Sequence, residues 1–393
     1  MFVAGIHKIK IMKIYSIIII FCISFLPLSA QVKSDSLFES HIQQGIQKVY
    51  NFEFEEAEKE FQILTVQKPK HPAGYFFLAM VDWWKILLDI DNETLDKQFL
   101  TKLDKVISIC DDLLDENDND VDALFFKGGA LGFRGRLYAN RESWVKAAND
   151  GREALPIVQR AYSLAPKNYD VLLGIGIYNY YAEVIPETFP VVKPLMLFFP
   201  SGDKKKGIKQ LEAASQKSKY ASIEAQYFLL QLYYNYERQF ETAIGYAQTL
   251  FQKFPNNALF QRYVGRCFVG VGRWEEAKAI FADVKEKCAA QKRGYTKGAE
   301  REASYYLATY QMLNNDSDMA LQNFYRCDEL SRTLDKEGAS GFMSMANLKI
   351  GMIYDAQMKR EYAVKQYNKV LQMKNFETTH EQAKKYLQTP YKK

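Results

Sequence analysis

The 34 residues Ala258–Gln291, ALFQRYVGRCFVGVGRWEEAKAIFADVKEKCAAQ, decide the fold. A run with Val264, Gly265 and Phe268 leads into Gly272-Arg273-Trp274, and a second run carries Ala277, Phe281 and Val284. This is the pattern of two antiparallel helices that cross closely. A small residue is needed where they touch, hence Gly265 on the first helix and Ala277 on the second. Phe268, Trp274 and Phe281 fill the space around that contact. The preceding stretch, Glu224–Asn257, repeats the pattern with Leu230, Tyr234, Phe240, Ala243 and Leu250. Its Pro255 stops the second helix, because proline lacks an N–H and clashes with the preceding turn. Phe240/Trp274, Ala243/Ala277 and Leu250/Val284 each lie 34 residues apart.

The same template recurs along the chain. Unit 38–71 has Gly45, Phe54, Ala57, Phe61, Leu64 and Pro69, and unit 344–377 has Gly351, Tyr354, Ala363, Tyr367 and Val370. Unit 301–334 keeps Leu307, Ala308, Ala320, Phe324 and Cys327, but Asn315-Asp316-Ser317 replaces the glycine-aromatic turn. Units 72–116, 121–168 and 169–219 are stretched by insertions. In 121–168, Asn149-Asp150-Gly151 reads as a turn that would place Pro156 in the first turn of the closing helix. A polar helix over about Thr379–Leu387 suits the end of a stack. The expectation is all-α: an α-solenoid of about eight antiparallel helix pairs with a C-terminal capping helix, forming a single body over 31–393. The 26 Tyr and 26 Phe are then the filling of the pair contacts.

A 34-residue period with this pattern resembles the tetratricopeptide repeat (TPR) superfamily. The motif is most specific in units 38–71, 224–257, 258–291 and 344–377. Leu173-Gly174-Ile175-Gly176-Ile177-Tyr178-Asn179, with Ser201-Gly202-Asp203 and Gly207, is similar to a narrower branch. That branch includes exported bacterial TPR proteins and mitochondrial outer-membrane TPR proteins of inclusion-body clearance. It brings no catalytic residues. The Lys/Asn pattern by which some TPR domains clamp a C-terminal carboxylate is not reproduced.

The N-terminus reads as a targeting segment. Lys8, Lys10 and Lys13 precede the apolar stretch Ile14–Leu28, and Leu28-Ser29-Ala30 offers a cleavage site before Gln31. This fits a signal peptide over 1–30, with an uncleaved anchor as the other reading. The expected location is the periplasm or, by peripheral association, the outer membrane. Loss of residues 1–30 removes three Lys and no acid, so the net charge falls from +5 to +2. Such a near-neutral chain gives no electrostatic footprint for nucleic acid.

No catalytic set, metal site or cofactor is expected. His41, His71 and His380 have no second ligand nearby, and Lys384 stands where a His380-Glu381 zinc motif needs its second His. The acidic run Asp111–Asp122 fails as a calcium loop at Ala123 and Gly129, and reads as a solvated linker with Asp122 near a helix cap. The glycines at 128, 129, 132 and 135 lack a preceding strand and read as helix contacts. Asp203 before Lys204-Lys205-Lys206 reads as a helix cap. Cys110, Cys267, Cys288 and Cys327 read as small buried hydrophobes, with no pairing assigned.

What remains is the concave face. First-helix positions give Tyr180, Asn235, Arg262 and Arg266, with Tyr181, Tyr236, Tyr263 and Tyr306 beside them. Aromatics and arginine are what protein-binding surfaces favour. The expected function is a non-catalytic protein–protein interaction scaffold, holding a protein or peptide partner in this groove. Charge reversal at Arg262 and Arg266 is then expected to weaken binding and leave stability nearly intact. The alternative is a small-molecule or lipid binder, with a cavity closed by the insertion 183–206. That insertion holds Phe189, Leu195, Met196, Phe198 and Phe199 among prolines. It is too apolar for a solvated linker, so it reads as a lid or docking element, or else as extra core.

Overall fold

The computed structural model describes residues 26–188, 190, 193–196, 199–336 and 338–392, with the backbone alone for 26–34, 195 and 196. The helices are α1 Leu26–Tyr50, α2 Phe54–Gln67, α3 Pro72–Leu88, α4 Asp96–Glu116, α5 Val121–Asn140 and α6 Trp144–Leu164. Next come α7 Val171–Thr188, the short α8 Lys193–Met196, α9 Lys204–Lys217, α10 Ser222–Asn235, α11 Phe240–Lys253 and α12 Ala258–Gly270. The last six are α13 Trp274–Ala289, α14 Lys297–Leu313, α15 Ser317–Leu334, α16 Gly341–Ala356, α17 Arg360–Leu371 and α18 Thr379–Gln388. No strand occurs among the described residues. Eight TPR-like antiparallel pairs stack in chain order, α7 pairing with α9 across the insertion, and α18 caps α17. Most of the expected export segment, residues 1–25, lies outside the described residues.

The small contact residues do what the pattern requires. A Cβ on Gly265 would stand 2.8 Å from the Phe281 ring. Ala277, Phe281 and Val284 are buried beneath it. Where α7 crosses α9, a Cβ on Gly207 would stand 2.6 Å from the backbone nitrogen of Tyr180. Side-chain caps start several helices: Asp120 accepts from the Ala123 N–H at 2.9 Å and Asp203 from the Lys206 N–H at 2.9 Å. The cap of α5 is therefore Asp120, two residues before the expected Asp122.

One expected turn is a helix. α6 runs unbroken through Asn149-Asp150-Gly151 and carries Pro156 within it. The reason is a tertiary contact. Asp150 accepts from Arg134 Nη2 at 2.7 Å and Nε at 2.9 Å, which fixes this stretch against α5.

The stack also closes on itself. The Asn257 amide donates to the Tyr50 carbonyl at 2.8 Å, Arg293 donates to the Phe52 carbonyl at 3.0 Å, and Tyr220 donates to Glu39 at 2.6 Å. The first pair is thus seated on the fifth and sixth. Trp84 fills the interior, 4.9 Å from the Tyr50 ring, 5.2 Å from Tyr227 and 5.7 Å from Phe260. A large core reaches from Phe38 to Leu307, smaller clusters lie between the third, fourth and fifth pairs, and others serve the last pairs.

Candidate functional site: an apolar chamber inside the closed coil

Closure changes what the concave positions do. Tyr180 is 0% exposed and donates to Glu237 at 2.6 Å. Tyr263 is buried, its ring 5.6 Å from Tyr234. Tyr306 stacks on Phe281 at 4.6 Å, between one pair and the next. Asn235 is exposed, and Tyr181 and Tyr236 are half-buried. Arg262 and Arg266 do share a helix face, but both point at Glu302. Arg262 Nε donates to that carboxylate at 2.7 Å and Arg266 Nη2 at 2.6 Å. Glu302 is 0% exposed. Burial alone would raise its pKa; the two guanidiniums outweigh burial and hold it at about 2. The expectation that charge reversal there spares stability is therefore corrected. It would crowd three carboxylates into a buried site.

Asn235, Tyr181 and Tyr236 share a different feature, a chamber of about 600 Å³. Its walls come from α1 and α2 (Ile46, Val49, Phe61), α3 (Phe76, Phe77, Met80), α5 (Phe125, Gly132, Phe133), α6 (Trp144, Leu155, Val158) and α7 (Leu173, Ile177), with Phe228 of α10. The glycines of α5 divide by role. Gly128, Gly129 and Gly135 are packing positions: an added Cβ would stand 2.6 Å from Val158, 3.2 Å from Phe76 and 3.3 Å from Asp150, respectively. Gly132 is exposed and lines the chamber on its open side, where an added Cβ would meet nothing within 4 Å. Sequence alone gave all four the same reading. The distinguishing signal is three-dimensional.

Polar groups gather at one end. Arg136 lies between the Trp83 and Phe228 rings, its guanidinium carbon 4.9 and 4.5 Å from their centres. It donates to Glu224 at 3.2 Å and to Gln231 at 3.0 Å, and Tyr50 donates to Glu224 at 3.0 Å. Burial raises the Glu224 pKa, opposed by Arg136 and Tyr50. Sequence reading passed over Arg136, Glu224 and Gln231, since nothing in the chain order brings α5 to α10.

The described ends of the insertion reach the chamber. Ile185 and Phe199 border it, and Tyr178 donates to the Pro200 carbonyl beside them. Phe189 and Phe198 lie outside the described residues, as do the side chains of Leu195 and Met196. Cys110, Cys267 and Cys327 are buried and Cys288 half-buried, all free, with burial pushing the Cys110 thiol up to about 12. Among the described residues no group of three or more His, Cys, Asp or Glu could hold a metal, and no helix is long and apolar enough to cross a membrane. A second, shallow cleft between α13 and α15 is charged, and its Arg326–Glu329 and Arg332–Asp328 pairs satisfy one another.

No protein-family model and no curated protein matches the chain. Among solved structures, the C-terminal part of a TPR repeat-containing protein from Cytophaga hutchinsonii is similar at 18% identity and a TM-score of 0.38. The match covers 74% of this chain and 96% of that one. A tetratricopeptide repeat protein from Parabacteroides merdae is similar at 12% identity and a TM-score of 0.34, covering 79% and 99%. A thermophilic TPR protein from Thermus thermophilus is similar at 13% identity and a TM-score of 0.35, covering 58% and 98%. The architecture of stacked helix pairs rests on the pairs described above.

Proposed function

We propose that the protein is a non-catalytic binding protein whose cargo, a small, largely apolar molecule, sits in the chamber between α3, α5, α6, α7 and α10. The carrying observation is the open space at Gly132 within a cavity of about 600 Å³. A mainly apolar pocket of roughly 300–1,000 Å³ with a few convergent polar groups is the usual form of a small-ligand site. Ile185 and Phe199, at the described ends of the insertion, border the chamber's mouth. The test is Gly132→Leu, whose Cβ has room but whose side chain fills the space. The variant should lose binding of the uncharged fluorescent probe N-phenyl-1-naphthylamine while melting at or above the wild-type temperature. Equal probe binding by the two proteins would sink the reading.

Scaffolding of a protein partner is a second role, supported by the last pairs. Tyr325 and Tyr354 touch through their hydroxyls at 2.9 Å, the Tyr362 ring lies 5.3 Å from Tyr354, and Met358 between them is 92% exposed. Stacked repeats offer extended surfaces of this sort. Replacing Tyr325, Met358 and Tyr362 with Ser should abolish co-purification of the partner from native membranes and leave probe binding unchanged. Unaltered co-purification would remove this surface from consideration. We further propose export on the strength of Lys8, Lys10, Lys13 and the Ile14–Leu28 stretch. Protein isolated from its native host should then begin at or near Gln31; an intact apolar segment would mean an anchor.

A further inference from the structure

Resting on the chamber as a ligand site, we propose that its ligand is an uncharged long-chain molecule whose neutral oxygen head group (a hydroxyl, ester or ketone) accepts hydrogen bonds from Tyr181 and Tyr236. Three observations lead there. The first is shape. The lining follows α5 from Phe125 to Asn140, about 22 Å at the helical rise per residue, a length that an extended chain can follow.

The second is the distribution of polarity. At the Phe125 end the one carboxylate, Asp170, is used up by the backbone N–H groups of Lys219, Tyr220 and Ala221 at 3.1, 2.7 and 2.8 Å. The free polarity lies at the Arg136 end. There the rings of Tyr181 and Tyr236 stand 5.6 Å apart, and among the described residues neither hydroxyl makes a hydrogen bond. Two neighbouring phenols whose hydroxyls have no protein partner and open onto an apolar chamber can donate to a ligand oxygen there. Burial raises both pKa values, which keeps these hydroxyls as donors.

The third is charge balance. The cation at this end is already matched: Arg136 pairs with Glu224, and Glu224 also accepts from Tyr50. A carboxylate head would meet Glu224, and an ammonium head would meet Arg136. A neutral head meets neither penalty.

The test uses the full chain and N-phenyl-1-naphthylamine as reporter, displaced by dodecanol, dodecanoate or dodecylammonium, which share one chain length. Dodecanol should displace the probe at a concentration at least about tenfold lower than either charged analogue. In the double variant Tyr181→Phe/Tyr236→Phe, with its own probe affinity measured and allowed for, dodecanol affinity should fall about tenfold relative to the wild type. A charged analogue that competes as well as the alcohol would overturn the proposal, and so would a double variant that keeps the alcohol preference. Both outcomes differ from failure of the chamber itself, in which the probe would not bind or would bind Gly132→Leu equally well.

Discussion

At the scale of single residues, buried charge separates parts of the concave face that look alike in sequence. Glu302 is fully buried against two arginines. Its carboxyl sits at about 2 instead of the ordinary 4.5. A depressed acid contributes stability that is complete above its unfolded pKa and is lost as pH falls toward the folded one. The contribution, about 3 kcal/mol from that shift, should therefore vanish between about pH 5 and pH 2. Urea denaturation at stepped pH should show a fall in that window that Glu302→Gln lacks. At neutral pH the same variant leaves Arg262 and Arg266 without their counter-charge and should cost about 3–5 kcal/mol. A loss near zero would mean the triad is solvated. A milder case is Glu142, exposed and held at φ 54° in the turn between α5 and α6. The equivalent turn between α12 and α13 has Gly272 at φ 76°. A side chain in the left-handed region costs about 1–2 kcal/mol, partly offset by the extra freedom glycine has when unfolded. Glu142→Gly should raise the urea midpoint slightly, by no more than about 1 kcal/mol in stability.

At the scale of elements, legibility follows the distance over which information must travel. The pairs α10/α11, α12/α13 and α16/α17 could be read because a small residue and its aromatic partners lie within one 34-residue unit. Gly265 against Phe281 and Gly351 against Tyr367 are such local contacts, with an added Cβ 2.8 and 2.5 Å from the ring. The register so assigned has a direct check. Ala277 is buried at the crossing of α12 and α13, so Ala277→Leu should overpack it and cost about 1–3 kcal/mol. An unchanged melting temperature would move the register. α6 could not be read through Asn149-Asp150-Gly151, although these are ordinary turn residues. Its helix is set by Arg134, which reaches back across the pair to Asp150 and onward to Asp104 at 2.7 Å. The local preference for a turn loses to a partly buried, bidentate ion pair.

At the scale of the whole molecule, the chamber exists because the coil closes, and closure rests on contacts that no periodicity can reveal. Asn257 reaches Tyr50 across 207 residues of chain and Arg293 reaches Phe52 across 241. This is why the helix pairs were legible while Arg136, Glu224 and Gln231 were not. Closure also changes the folding thermodynamics. In an open solenoid each repeat contacts only its neighbours, and protection falls off from the middle toward both ends. Here the first pair is an end in sequence but packs inside in space, since Tyr50 and Phe52 both touch Trp84. Pairs one to six should therefore open as one cooperative unit. The last pairs, with smaller separate cores, should open earlier. Native-state hydrogen exchange read by mass spectrometry distinguishes the two pictures. Amides of α1 and α2 should exchange in step with those of α10 to α12, and α16 to α18 should exchange faster. Asn257→Ala removes both the α12 cap and the donor to Tyr50. It should lower stability by about 1–3 kcal/mol and speed exchange in α1 and α2 as much as in α12. If α1 and α2 instead exchange early and independently, as the free end of an open stack would, the coil is not closed in solution and the chamber has no fixed wall on that side.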